Sequence, residues 1–137
     1  MGLFDIFGKK NVSEDISKKY PFKISINFIP YKLNANSKSS VEVNIKVKNL
    51  LNEPALTSVV IEVPKQLGLE ETCISKTKEI RIGTLAPQEE KEIKCEIWGS
   101  NATDKGEYTI SVSAFAHYIN YAYVITGLKK RAMLRVE

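Results

Sequence analysis

The sequence has few of the residues from which catalytic and metal sites are usually built. Its 137 residues include one histidine and two cysteines. A Ser/His/Asp arrangement or a histidine zinc site would have to use His117, and Cys73 and Cys95 have neither a CxxC spacing nor a second histidine. A glycine-rich phosphate loop, a Walker pattern and an EF-hand spacing are also missing from the sequence. We therefore predict a non-enzymatic protein without metal or cofactor, and an uncharacterised hydrolase is the alternative.

Long hydrophobic runs are absent as well. No run approaches the roughly 18 apolar residues of a membrane span. A secretory signal places positive charge before its apolar core, whereas here Asp5 interrupts a shorter apolar stretch and Lys9 and Lys10 follow it. These features favour a cytoplasmic location, with or without peripheral contact to a membrane. An envelope-associated adhesive or carbohydrate-binding module is the alternative.

The chain also lacks a strong excess of one charge. Lysine and arginine total 20 against 16 aspartates and glutamates, which gives a net charge of +4. Both signs are interleaved along the chain, whereas nucleic-acid binders usually concentrate lysine and arginine in one stripe. We therefore expect no nucleic-acid partner. An apolar fraction of 43% in 137 residues suits one folded domain that buries its own core.

What the chain does contain is a period-two alternation of apolar and polar residues. Antiparallel sheets with one buried and one solvated face produce this pattern. It recurs in seven segments after residue 20, where no helical period is found. We therefore predict an all-β, seven-stranded antiparallel sandwich over residues 21–137. Representative apolar sets are Phe22, Ile24, Ile26 and Phe28, then Val41, Val43, Ile45 and Val47, and later Tyr108, Ile110, Val112 and Ala114.

The segment Asp104-Lys-Gly106-Glu-Tyr108 predicts a tight turn before one of these strands. Gly106 tolerates a positive φ, and the Tyr108 hydroxyl can reach back to a backbone group, as in a tyrosine corner. In immunoglobulin domains a cysteine follows this tyrosine by two residues, whereas here the residue is Ile110. We therefore expect a core held by apolar packing without an inter-sheet disulfide. Trp98, at the end of the segment EKEIKCEIW, is a further predicted structural residue.

Four segments in sequence order carry a resemblance to a known family: VEVNIKVKN, IEVPKQLG, IGTLAPQEEKEI and KGEYTISVSA. The chain resembles, over about residues 22–137, the immunoglobulin-like modules of the CARDB type found in archaea and bacteria. The resemblance implies an immunoglobulin-like sandwich. It also implies a role as a binding, spacer or adhesive unit, since such modules serve in all three ways.

The first residues follow a different pattern. Residues 1–20 are predicted to form a short amphipathic helical tag and a charged linker. A helix that is apolar on most of its circumference is not stable free in water, so we expect the tag to dock. Three docking sites remain open: the chain's own sandwich, a groove on a partner, or a membrane surface. The apolar residues of the tag are Leu3, Phe4, Ile6 and Phe7.

The segment AFAHYINYAYVITG places aromatic residues on both sides of a short turn. These are Phe115, Tyr118, Tyr121 and Tyr123, and by alternation His117 points outward with Phe115 as a surface or ligand-contacting residue. Clustered tyrosine at a loop tip suits a contact surface, whereas rings paired along the hairpin would cover the edge of the core. Both interpretations stay open. We expect a protein-interaction module that binds a protein partner, or a second copy of the chain, through this hairpin, the tag, or both.

Overall fold

The computed structural model describes residues 20–137. The predicted helical tag, with Leu3, Phe4, Ile6 and Phe7, lies outside the described residues. In the described part no helix is long and apolar enough to span a membrane. That part contains eight strands, which are β1 (Phe22–Ile29), β2 (Lys32–Leu33), β3 (Ser39–Asn49), β4 (Ala55–Glu62), β5 (Thr77–Leu85), β6 (Glu90–Gly99), β7 (Gly106–His117) and β8 (Val124–Val136).

The strands form two sheets packed face to face. One has three strands in the order β1-β3-β6, and the other has five in the order β2-β8-β7-β4-β5. The predicted all-β sandwich is confirmed, but the predicted count of seven antiparallel strands is wrong. The additional strand, β2, has two residues, which pair in parallel with Arg135 and Val136 of β8. A two-residue strand is too short for alternation to mark it in a sequence.

The core lies between the sheets, where the inward phase of each strand meets that of the opposite sheet. The inward residues of β3, from Val41 to Val47 at every second position, are all 1% exposed or less. Ile110, which replaces the cysteine of immunoglobulin domains, is fully buried, and Cys95 is buried in the same core. Cys95 and the half-buried Cys73 are both free thiols. The sheets are therefore held together by apolar packing.

A side-chain hydrogen bond closes the turn before β7. The Tyr108 hydroxyl donates to the backbone carbonyl of Asp104 at 2.7 Å, so the bond expected of a tyrosine corner is present. Gly106, between these two residues, has a φ of +156°. Trp98 is half-buried, and its backbone pairs with Gly68 through two hydrogen bonds that join the loop after β4 to β6.

Two irregularities in the larger sheet lie at the same end as the β7–β8 connection. The register of β4 and β5 shifts between Thr57 and Ser58, where Gly83 has a φ of +96°. The register of β7 and β8 shifts between Ala116 and His117, and Ile125 is the residue left out of the pairing. Bulges of this kind bend a strand and redirect its side chains. The second of the two irregularities lies directly before the loop that connects β7 to β8.

Candidate functional site

The aromatic hairpin of the sequence is the β7–β8 connection. Its loop, residues 118–123, is closed by a hydrogen bond from the Tyr118 N–H to the Tyr123 carbonyl at 2.8 Å. Inside it, the Asn120 N–H donates to the Tyr118 carbonyl at 2.7 Å, and the Asn120 side chain accepts from the Ala122 N–H at 2.9 Å. Ile119 occupies the left-handed region with a φ of +68°. The loop therefore has a defined, internally hydrogen-bonded conformation.

This loop and the start of β8 expose a cluster of large apolar side chains. We call this cluster the hairpin tip. It accounts for five of the ten exposed large hydrophobic residues in the part of the chain that the structure describes. Scattered exposed apolar residues are ordinary, whereas a contiguous group is typical of an interaction site. The members are Tyr118, Ile119, Tyr123, Val124 and Ile125, each between 57% and 74% exposed.

Tyr121 attaches the loop to the outer face of the larger sheet. Its ring centroid lies 5.1 Å from that of His117, with the two planes at 65°, which is an edge-to-face contact. The guanidinium carbon of Arg81, on β5, lies 4.8 Å from the Tyr121 ring centroid, within the range of a cation–π contact. Tyr121 is accordingly half-buried, and its role in this structure is to anchor the tip.

Below Tyr121, His117 is hydrogen-bonded to Ser58 of β4. The His117 Nε2 atom lies 2.7 Å from the Ser58 Oγ atom, and the two residues are 6% and 1% exposed. His117 lies on the outer face of the larger sheet, as alternation predicts. It is paired with Leu56 of β4, and Leu56 and Ser58 alternate with the inward residues Thr57 and Val59. The expectation of a surface histidine is wrong, since Tyr121 packs against it and it is 6% exposed, whereas contact with a ligand stays a prediction.

The pair of Ser58 and His117 does not have the arrangement of a hydrolytic site. In such a site the hydroxyl faces the substrate and a third group orients the second ring nitrogen of the histidine. Here the Ser58 side chain is buried, and the Nδ1 atom of His117 has no hydrogen-bond partner among residues 20–137. The same residues contain no group of three histidine, cysteine or acidic side chains placed to hold a metal ion.

Phe115 packs across the hairpin and is only half-buried. It is paired with Gly127 of β8, and a Cβ atom on that glycine would lie 2.6 Å from the Phe115 ring. The ring therefore covers the backbone of the neighbouring strand. The two interpretations of the aromatic residues thus apply to different members: Phe115 and Tyr121 pack against the sheet, whereas Tyr118 and Tyr123 face solvent.

Sequence reasoning missed three members of the tip. Ile119, Val124 and Ile125 are exposed although the strand pattern alone predicts every second residue of β8 to be covered. The uninterrupted stretch Tyr-Val-Ile after the turn is the signal that could have found Val124 and Ile125, because it breaks the alternation, whereas Ile119 lies in the turn before it.

No family model and no curated protein matches this chain. Among solved structures, the part of Escherichia coli alpha-2-macroglobulin from domain MG7 to the C-terminus matches with a TM-score of 0.63 at 14% identity. The match covers 86% of this chain and 17% of that one. A Pseudomonas fluorescens alkylpurine DNA glycosylase, AlkC, bound to DNA with an abasic site analog, matches with a TM-score of 0.51 at 11% identity, over 85% of this chain and 30% of that one.

A CARDB domain from Pyrococcus furiosus matches at 20% identity and a TM-score of 0.49, over 85% of this chain and 87% of that one. By contrast, this chain spans less than a third of the length of the macroglobulin and glycosylase chains described above. Identities this low show a shared fold and nothing of a shared activity. The described residues form an immunoglobulin-like β-sandwich, as the resemblance in the sequence implied.

Proposed function

We propose that this chain is a non-enzymatic protein-interaction module that binds a partner protein through the hairpin tip. The observation that carries the proposal is the exposure of five neighbouring apolar side chains on a loop with a hydrogen-bonded backbone. Such a loop loses little conformational freedom when it binds, so more of its contact energy appears as affinity. The anchoring of Tyr121 between His117 and Arg81 gives the tip a fixed base.

The composition of the tip indicates the chemistry of the partner. Residues 118–125, YINYAYVI, contain no charged residue, and their polar groups are three tyrosine hydroxyls and one amide. A complementary surface is therefore an apolar groove on a protein, with a few acceptors for tyrosine hydroxyls. Binding through such a surface depends weakly on salt. Binding to nucleic acid or to an anionic membrane would fall steeply as salt rises.

The buried pairing of Ser58 with His117 supports the non-enzymatic part of the proposal. His117 is the single histidine of the chain, and the pairing gives it a structural role in the packing beneath the loop. The cytoplasmic location expected from the sequence belongs to the same proposal. A second copy of the chain is one candidate partner, and its presence would appear directly in the oligomeric state.

The test is quantitative affinity purification from native cells with a tip variant and a matched control. The tip variant is Tyr118→Ser/Tyr123→Ser. The control is Tyr31→Ser/Met133→Ser, which removes two residues that are 69% and 53% exposed and lie outside the tip. We expect a partner that is retained by the wild type and the control in about 0.5 M salt and depleted at least tenfold by the tip variant.

Two measurements make this result interpretable. Thermal unfolding should show the same midpoint for both variants, because all four side chains are exposed. Light scattering separates a second copy of the chain from a different partner. A partner retained equally by the tip variant would contradict the proposal, and so would one that is lost from the wild type as salt is raised.

A further inference from the structure

An apolar groove opens between the two sheets along the side where β1 faces β8. It has a volume of about 400 Å³. Phe22 and Ile24 of β1 lie at its base and are 1% and 3% exposed, so the accessible apolar lining comes from Leu128 of β8, Leu50 and Tyr20. A volume in this range is enough to hold a few apolar side chains. In the described part of the chain, no residue fills it.

The positive charge at the rim of the groove comes from Lys130. Lys23 and Lys129 also line the groove, but the Lys129 ammonium lies 3.8 Å from the Glu62 carboxylate of β4. The Lys130 ammonium donates to the backbone carbonyl of Ile24 at 2.9 Å and so bridges the two strands. No carboxylate is among the residues that line the groove. An occupant with apolar side chains and a negative charge between them therefore fits both the floor and the rim.

The first residues of the chain have this composition. In the stretch LFDIF, Asp5 lies between two pairs of large apolar residues. We propose that residues 3–7 occupy the groove between β1 and β8. Phe4 and Phe7 fill the apolar gap, and the Asp5 carboxylate lies beside Lys130 on the rim.

The position of Tyr20 makes this docking intramolecular. Tyr20 lines the groove, so the segment of residues 1–19 is joined to the described part of the chain at the groove. Residues 8–19, which separate the stretch LFDIF from Tyr20, span up to about 40 Å when extended, so reach does not restrict the docking. A short tether holds its end at an effective concentration on the order of millimolar. The chain's own segment is therefore favoured over a second copy at micromolar concentration.

The test is NMR on the full chain with isotope-labelled isoleucine and leucine methyl groups, at about 50 μM. We expect nuclear Overhauser contacts from the rings of Phe4 and Phe7 to the methyl groups of Ile24 and Leu128. The variant Phe4→Ser/Phe7→Ser should remove these contacts and shift both methyl resonances. The methyl resonance of Ile119 in the hairpin tip should stay where it is, because the tip does not line the groove.

A control variant in the linker separates docking from a general effect of the tail. Val12→Ser/Ile16→Ser removes the two isolated apolar residues of the linker and should leave the Ile24 and Leu128 resonances unchanged. Asp5→Lys should weaken the ring-to-methyl contacts, since it places a positive charge beside the lysines on the rim.

Three results would overturn the inference. The first is unchanged groove resonances in Phe4→Ser/Phe7→Ser. The second is contacts that appear only between differently labelled molecules in a mixed sample, which would identify a second copy as the occupant. The third is groove resonances that respond only when vesicles of phosphatidylglycerol are added, which would assign the segment to a membrane surface.

Discussion

The hydrogen bond between Ser58 and His117 allows a direct test of how the tip is anchored. Ser58→Ala deletes one hydroxyl at a residue that is 1% exposed. In the wild type the oxygen of this hydroxyl lies 2.7 Å from the His117 Nε2 atom. The His117 Nδ1 atom already lacks a hydrogen-bond partner among the described residues. After the change, neither ring nitrogen of a buried histidine is paired. A buried polar group without a partner is costly, so the variant should be less stable than the wild type.

The magnitude follows from the cost of an unpaired group. Ser58→Ala should lower the free energy of unfolding by about 1–3 kcal/mol. His117→Leu should cost a similar amount, because it leaves the buried Ser58 hydroxyl unpaired and removes the edge contact with Tyr121. In Ser58→Ala/His117→Leu both polar groups are gone. The double variant should therefore cost less than the sum of the single variants, by about 1–2 kcal/mol.

Urea unfolding at pH 7 measures all four members of this cycle, provided that the slope with denaturant stays constant. Ser111→Ala is the matched control, since this serine lies on the same face of β7 and is half-buried. It should change the stability by less than about 0.5 kcal/mol. A Ser58→Ala variant as stable as this control would refute the reasoning. So would strictly additive single and double variants, because the two side chains would then act independently.

Three further outcomes follow from single contacts. Tyr108→Phe should lower the free energy of unfolding in urea by about 1 kcal/mol, because it removes the corner hydrogen bond. Hydrogen bonds from the Ser75 side chain and backbone lower the pKa of Glu70 to about 2. The stabilisation that the ionised carboxylate gives its loop is therefore present above its ordinary pKa and lost as pH falls towards 2. The NMR titration of the Glu70 carboxyl carbon should have its midpoint near 2. Glu70→Gln should abolish the accompanying shift of the Ser75 amide. Gly127→Ala should cost about 1–3 kcal/mol in thermal unfolding, because the new methyl group overlaps the Phe115 ring, and an unchanged midpoint would mean that the ring moves freely.

The strands of this fold could be predicted because each sheet has one buried and one solvated face. In β3, alternation identified every inward residue from Val41 to Val47, and all of them are buried. The tyrosine corner could also be predicted, since its hydrogen bond joins residues four apart in the sequence. Local patterns of this kind depend on short-range geometry. They can therefore be recognised in a single sequence.

The environment of His117 could not be predicted in the same way. Alternation gave its face correctly, but its burial depends on Tyr121 folding back over the sheet and on Arg81 reaching Tyr121 from another strand. Arg81 and Tyr121 are forty positions apart in the chain. The bulge at Ala116 and His117 adds a shift that no composition rule marks. Side-chain burial on the outer face of a sheet is thus a tertiary property, and a period-two pattern does not report it.

The two halves of β8 have different chemistry, and this difference limits how the module can associate. β2 pairs only with Arg135 and Val136, so the outer edge of β8 has no strand partner over the rest of its length in the described part of the chain. A long free edge invites strand pairing with other molecules. The middle of β8 carries Lys129, Lys130 and Arg131 in succession, and these charges repel a second copy aligned along the edge. The start of the strand carries no charge and continues the hairpin tip. We therefore expect the proposed association to use the tip and not the edge, which would give a specific contact without open-ended strand pairing.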